Sequence, residues 1–209
     1  MRFSARVILI LSLPLLASTG AGQSMSPLDS SLDAHVYTNF FFRLRYPFSA
    51  SWVPALATDQ RQRISPSCLG NAGETGTFSP DRNLHDLLIL ERDFPGHGGI
   101  GDAKGTIWLI AENVSGEPSL SGGKACLEKL SERARARHLS PTRDIREVKL
   151  MGKSFFRLDL AGVSAANTPL HETALFTLAQ GYALGFVLTA PSEQALTGMV
   201  STLDKLESF

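Results

Sequence analysis

The chain has 209 residues with 20 basic and 20 acidic side chains, so its formal charge at neutral pH is zero. That balance argues against nucleic acid as a partner, which usually demands a strongly basic face, and nothing suggests a polybasic membrane patch. At this length, and with 43% apolar side chains, one domain can bury a core that folds without staples.

Arg2 and Arg6 begin the chain, the almost unbroken apolar run Val7 to Ala17 follows, and the small residues Ala17 to Gly22 come next. That order reads as a secretory signal peptide over residues 1–22. The run falls well short of the roughly 20 apolar residues that span a bilayer, and no second such run follows. The expected mature protein is periplasmic or extracellular. It has no stable membrane anchor, since no cysteine stands at the cleavage region to carry a lipid. Loss of Arg2 and Arg6 leaves 18 basic against 20 acidic residues. Gln23 to Ala34, rich in serine, reads as a flexible leader, and residues 35–209 as a single domain.

Val36 to Asn39 and Phe41 to Tyr46 read as strands. In the second, Phe42, Leu44 and Tyr46 share a face opposite Arg43 and Arg45, and Trp52 is expected to cap the core. From Val53 to Asp81 the pattern weakens into a long irregular connection with a short helix around Ala55 to Arg63. A loop of that length is unusual unless it binds something or is tied down, and Cys68 sits inside it. Leu84 to Arg92 and Thr106 to Asn113 are the next strands, separated by the glycine-rich turn Pro95 to Gly105.

Ser121 to Leu139 reads as a helix with Cys126, Leu127, Leu130 and Ala134 on one face. Arg133, Arg135 and Arg137 crowd its end, where positive charge complements the helix dipole in a solvated position. Four strands follow: Asp144 to Leu150, Phe155 to Ala161, Leu170 to Leu178 and Tyr182 to Ala190. The short links Met151-Gly152-Lys153 and Ala179-Gln180-Gly181 suit antiparallel hairpins. Neither face of Tyr182 to Ala190 carries a charge, which predicts a central strand covered on both sides. A closing helix from Ser192 to Leu206 presents Leu196, Met199, Val200, Leu203 and Leu206 as a stripe. Pro191 suits its first turn, and Gly198 suggests close approach of helix and strand. Antiparallel strands with helices packed against them make an α+β fold.

Cys68 and Cys126 are the only cysteines. In an exported chain they suit a disulfide, with two buried unpaired thiols as the alternative.

The chemical motifs fail on context. Gly96-His97-Gly98-Gly99-Ile100-Gly101 has the spacing of a dinucleotide loop but leads into a strand rather than a helix. Gly122-Gly123-Lys124 departs from the phosphate-loop pattern, with Pro118 at its first glycine position and Ala125 at its Ser/Thr position, and suits helix initiation instead. His35, His85, His97, His138 and His171 are scattered. His171-Glu172 starts like a zinc-protease signature, yet Leu175 occupies the next required position in a strand. Gly162-Val163-Ser164-Ala165-Ala166 lacks the final glycine of a nucleophile elbow. Cys126 and His138 on one helix would stand about 18 Å apart. Asp159 and Glu172 could face each other across neighbouring strands as an acid pair or a solvated face. Asn113-Val114-Ser115 is a glycosylation sequon only in a host that glycosylates. No catalytic, cofactor-binding or metal-ligating residue is assigned, and no cofactor is expected.

The strand with Tyr37 and Asn39, the second strand ending Tyr46-Pro47, and the following Trp52 resemble the opening of PsbP-like domains. The strand from Gly181 to Ala190 and the helix finishing Leu203-Asp204-Lys205-Leu206-Glu207-Ser208-Phe209 are similar to that group's ending. The resemblance implies an α/β/α sandwich shared with Mog-type proteins and many bacterial exported proteins. It defines no catalytic residue and implies a binding or assembly accessory role. The expectation is thus an exported, non-enzymatic domain that binds an unknown protein or small ligand through its loops. The alternative is a hydrolase-like enzyme whose site is assembled from sequence-distant residues. A further possibility makes the Val53 to Asp81 loop the functional element, with the domain as its scaffold.

Overall fold

The computed structural model describes residues 25–55, 67–68, 84–95, 103–164 and 167–209. The expected signal peptide, the helix around Ala55 to Arg63 and the Gly96 to Gly101 turn lie wholly or almost wholly outside them. No helix among the described residues is long and apolar enough to cross a membrane.

The architecture is α+β. A large antiparallel sheet is formed by β4 (Val53–Pro54), β5 (Leu84–Phe94), β6 (Ala103–Asn113), β7 (Leu139–Pro141), β8 (Arg146–Leu150), β9 (Lys153–Val163), β10 (Pro169–Ala179) and β11 (Tyr182–Ala190). Its order is β4-β5-β6-β11-β10-β9-β7, with β8 pairing the other half of the outer edge of β9. A smaller sheet has the order β1-β2-β3-β12, from β1 (Ser30–Asp33), β2 (Val36–Asn39), β3 (Leu44–Pro47) and β12 (Glu207–Ser208).

Strand β11 lies between β6 and β10, as its two apolar faces require, and Ala183 to Val187 are buried. Two hairpins set register in the sheet, one joining β8 to β9 and one joining β10 to β11. Met151-Gly152 and Gln180-Gly181 have positive φ at both positions, the two-residue turn whose twist matches antiparallel strands.

The sheet separates two cores. On one face lie α2 (Glu193–Ser201), the small sheet and Trp52, with Tyr46, Phe155 and Phe186 wholly buried. On the other lies α1 (Gly123–Ala134), whose Cys126, Leu127, Leu130 and Ala134 pack on Trp108, Ile110, Leu158 and Phe176.

Several expected boundaries change. Part of the supposed flexible leader, Ser30–Asp33, is strand β1 on the edge of β2, with all four residues exposed. The second expected strand starts at Leu44, because Arg43 has φ 53° and turns the chain. The helix expected over Ser121 to Leu139 stops at Ala134. A 3-10 turn over Arg135–Arg137 and the left-handed His138 release Leu139 into β7. The closing helix ends at Ser201, runs through a 3-10 turn over Thr202–Lys205, and hands Glu207–Ser208 to the small sheet. Its cap is Ser192, whose hydroxyl accepts the Ala195 amide at 3.2 Å, so Pro191 precedes the helix. Gly198 is exposed, and a Cβ there would meet no atom within 4 Å, so it does not mediate close packing.

Candidate functional site

Two acids interrupt the apolar face under α1, Glu112 in β6 and Glu172 in β10, each 2% exposed. A carboxylate withdrawn from water is tolerated when charged donors reach it. Arg133 in the last turn of α1 and Arg137 in the 3-10 turn after it continue the row of Cys126 and Leu130. Arg137 supplies such donors to Glu172, while Glu112 is met by an amide and a hydroxyl with the Arg133 charge nearby.

Arg137 forks onto Glu172: Nη1 donates to Oε1 at 3.0 Å and Nη2 donates to Oε2. Arg133 reaches backbone instead, donating from Nη1 to the Ser67 carbonyl at 2.8 Å and from Nη2 to the Cys68 carbonyl at 3.0 Å. Burial lowers the pKa of Arg133, and the negative charge of Glu112 offsets part of that effect. Glu112 completes the grip, accepting the Cys68 amide at 2.5 Å and the Ser67 hydroxyl. Cys68 and Cys126, both 0% exposed, lie at disulfide distance with Cα atoms 4.9 Å apart. Gly123 explains how close the helix sits, since a Cβ there would fall 2.1 Å from the Phe176 carbonyl oxygen of β10.

A second cluster occupies the opposite face beside α2. Arg146 and Arg157 are direct cross-strand partners, an arrangement that repels unless a charge lies between them. Asp159 is that charge. It accepts Arg146 Nη2 at 2.6 Å, Arg157 Nε at 2.7 Å and Thr173 Oγ1 at 2.7 Å. Burial alone would raise its pKa, but these donors outweigh burial and lower it. Asp86 differs: burial raises its pKa, and only the Trp108 indole at 2.8 Å and nearby His85 oppose the shift.

The candidate residues fall as follows. Cys68 and Cys126 come together, whereas Cys126 and His138 do not act as a pair, the first facing Cys68 and the second standing in a left-handed turn. Asp159 and Glu172 are not opposite each other. Asp159 pairs Thr173 and Glu172 pairs Leu160, which puts the acids on opposite faces of the sheet. Gly122 caps α1 without a side-chain bond, and His171-Glu172 lies in strand β10. Ser164 bonds Thr168 in a turn after β9. Asn113 accepts the Ser115 amide at 3.1 Å and its hydroxyl at 2.7 Å. Among the described residues, no group of three or more His, Cys, Asp or Glu side chains is placed to hold a metal ion.

Arg133 and Arg137 were expected at a solvated helix end and instead turn inward; only Arg135 of the three is exposed. The readable signal was a coincidence of two patterns. Arginines continue the apolar row of the helix, and single acids stand within largely apolar strands.

No protein family and no curated protein sequence matches the chain. Among solved structures, it is similar to the cyanobacterial PsbP of Synechocystis at 12% identity, covering 93% of this chain and 99% of that one, with a TM-score of 0.43. It is also similar to LpqN, involved in cell envelope biogenesis of Mycobacterium tuberculosis, at 10% identity over 78% and 82% of the two chains, TM-score 0.48. A protein of unknown function from Pseudomonas aeruginosa matches at 13% identity over 56% and 79%, TM-score 0.41. These are likenesses of chain path and carry nothing about activity.

Proposed function

We propose that the chain is an exported, non-enzymatic binding or assembly accessory domain of PsbP-like architecture. Its core serves as the scaffold on which Ser67–Cys68 is fixed. One observation carries this reading: the buried carboxylates Glu112, Asp159 and Glu172 are each engaged by donors that fix structure. A general acid or base needs a carboxylate free to exchange a proton with substrate. The Cys68–Cys126 pair, oxidised in this reading, suits a compartment outside the cytoplasm. The partner is a protein or a small ligand, met through the loops.

Expression of the full chain in a bacterium, followed by fractionation and native sizing, tests the reading. The expected result is a processed protein in the periplasm or medium that elutes with a partner or takes up a ligand, and that turns over no model ester, amide or glycoside. Turnover that copurifies with the protein, or retention of an unprocessed chain in the cytoplasm, overturns it.

A further inference from the structure

We propose that Glu112 and Arg133 form a thiol-independent clasp that docks the Ser67–Cys68 backbone under α1 and thereby aligns Cys68 for its bond with Cys126. The contacts are those of a receptor for a dipeptide. Both carbonyls are taken by one guanidinium, at 2.8 and 3.0 Å, while one carboxylate takes the Cys68 amide at 2.5 Å and the Ser67 hydroxyl. None of these four bonds involves sulfur, so the reduced chain can make them all. Each charge-assisted bond shifts an equilibrium by roughly ten- to hundredfold.

The clasp addresses a specific cost. Cys68 and Cys126 are 58 residues apart in sequence, and holding two such positions together consumes the entropy of the intervening chain. Donors fixed on a helix and acceptors fixed on a strand offset that cost before any covalent bond exists. Arg133 and Cys126 stand seven residues apart on the same face of α1, so one helix carries both the grip and the sulfur that follows. While the segment is open, one cysteine thiolate attacks a small-molecule disulfide such as oxidised glutathione and releases the first glutathione thiol. As Ser67–Cys68 docks, the second cysteine displaces the other, so that two protons and two electrons pass to glutathione in all. One sulfur–sulfur bond forms within the protein, the glutathione bond breaks, and two glutathione thiols leave. Because both cysteines are 0% exposed, a reductant reaches the bond only when Ser67–Cys68 lifts away. The contacts that favour closure also slow reopening.

The full chain is equilibrated with defined ratios of reduced and oxidised glutathione, and the effective concentration of the thiol pair is read from the fraction bridged. Arg133→Met and Glu112→Gln are expected to lower it by about tenfold or more, and Ser67→Ala, which removes one hydroxyl from the segment alone, by less. Unchanged values in variants that keep a native melting transition overturn the proposal. A second measurement needs no substitution in the core. In the natural sequence reduced under native conditions, the Cys68 amide is expected to exchange with solvent at least about tenfold more slowly than an unstructured amide. Exchange at the unstructured rate means that the disulfide alone holds the segment, and the proposal fails.

Discussion

The two helices dock on opposite faces of one sheet by different means. α2 lies on its face through Leu196 and Met199, with Leu203 in the 3-10 turn that follows; Thr202 of that turn bonds Tyr46 at 2.8 Å, and Glu193 makes an exposed ion pair with Arg143 at 3.8 Å. α1 also has an apolar row, but it adds Arg133, the Arg137 fork from the turn that follows, and the sulfur contact to Cys68. Apolar packing is non-directional and tolerates small shifts. Charged forks and a disulfide fix one register, and they fix it for a segment remote in sequence.

The contrast breaks most sharply at Arg137. Arg137→Met leaves Glu172, 3% exposed at its side chain, as a buried charge without its partner, and a loss of about 3–5 kcal/mol is expected by urea denaturation. A loss below about 1 kcal/mol would mean that Glu172 finds other solvation and that the fork is ornamental. Replacing both Cys68 and Cys126 by Ala is expected to lower stability by about 2–4 kcal/mol. In that background, reductant should no longer change the denaturation midpoint. Two freely labelled thiols in unreduced native protein would remove the disulfide from the account.

The ion cluster beside α2 yields a pH signature. Asp159 is held below its ordinary range, so the unfolded chain binds the proton more readily. Its contribution is present in full above the ordinary aspartate value and fades as pH falls through the folded value. Asp86, raised by burial, acts in the opposite sense: its cost is present at neutral pH and is relieved on acidification. Asp159→Asn is expected to lower neutral stability by about 1–3 kcal/mol and to flatten the acid limb of a plot of urea midpoint against pH. An unaltered acid limb would show that Asp159 titrates alike in both states. The smallest effect is a gain. Gly198→Ala, at an exposed helical position with open space around it, should stabilise α2 by about 0.5–1 kcal/mol, seen as a raised melting temperature.

Much of this architecture was legible in the sequence because single patterns sufficed. The uncharged strand Tyr182 to Ala190 had to be central, two-residue links with glycine had to be hairpins, and the apolar rows of both helices faced the sheet. The site was legible only in part. Two cysteines in a chain read as exported pointed to their pairing, but nothing local tells an inward arginine from one matched to a helix dipole. Glu112 alone does not announce its ligand. The acid pair failed on register, since a shift of one residue between β9 and β10 sends a side chain to the other face. Strand β7 escaped notice because it is three residues long and begins only after His138 adopts φ 57°. Gly198 misled because a helical glycine reads alike whether it meets a strand or water.

Amide hydrogen exchange of the oxidised and reduced protein under native conditions compares the two helices most directly. The account predicts that reduction lowers protection across Gly123–Ala134 while Glu193–Ser201 exchanges as before. An equal loss in both helices, or a loss confined to the second, would contradict it.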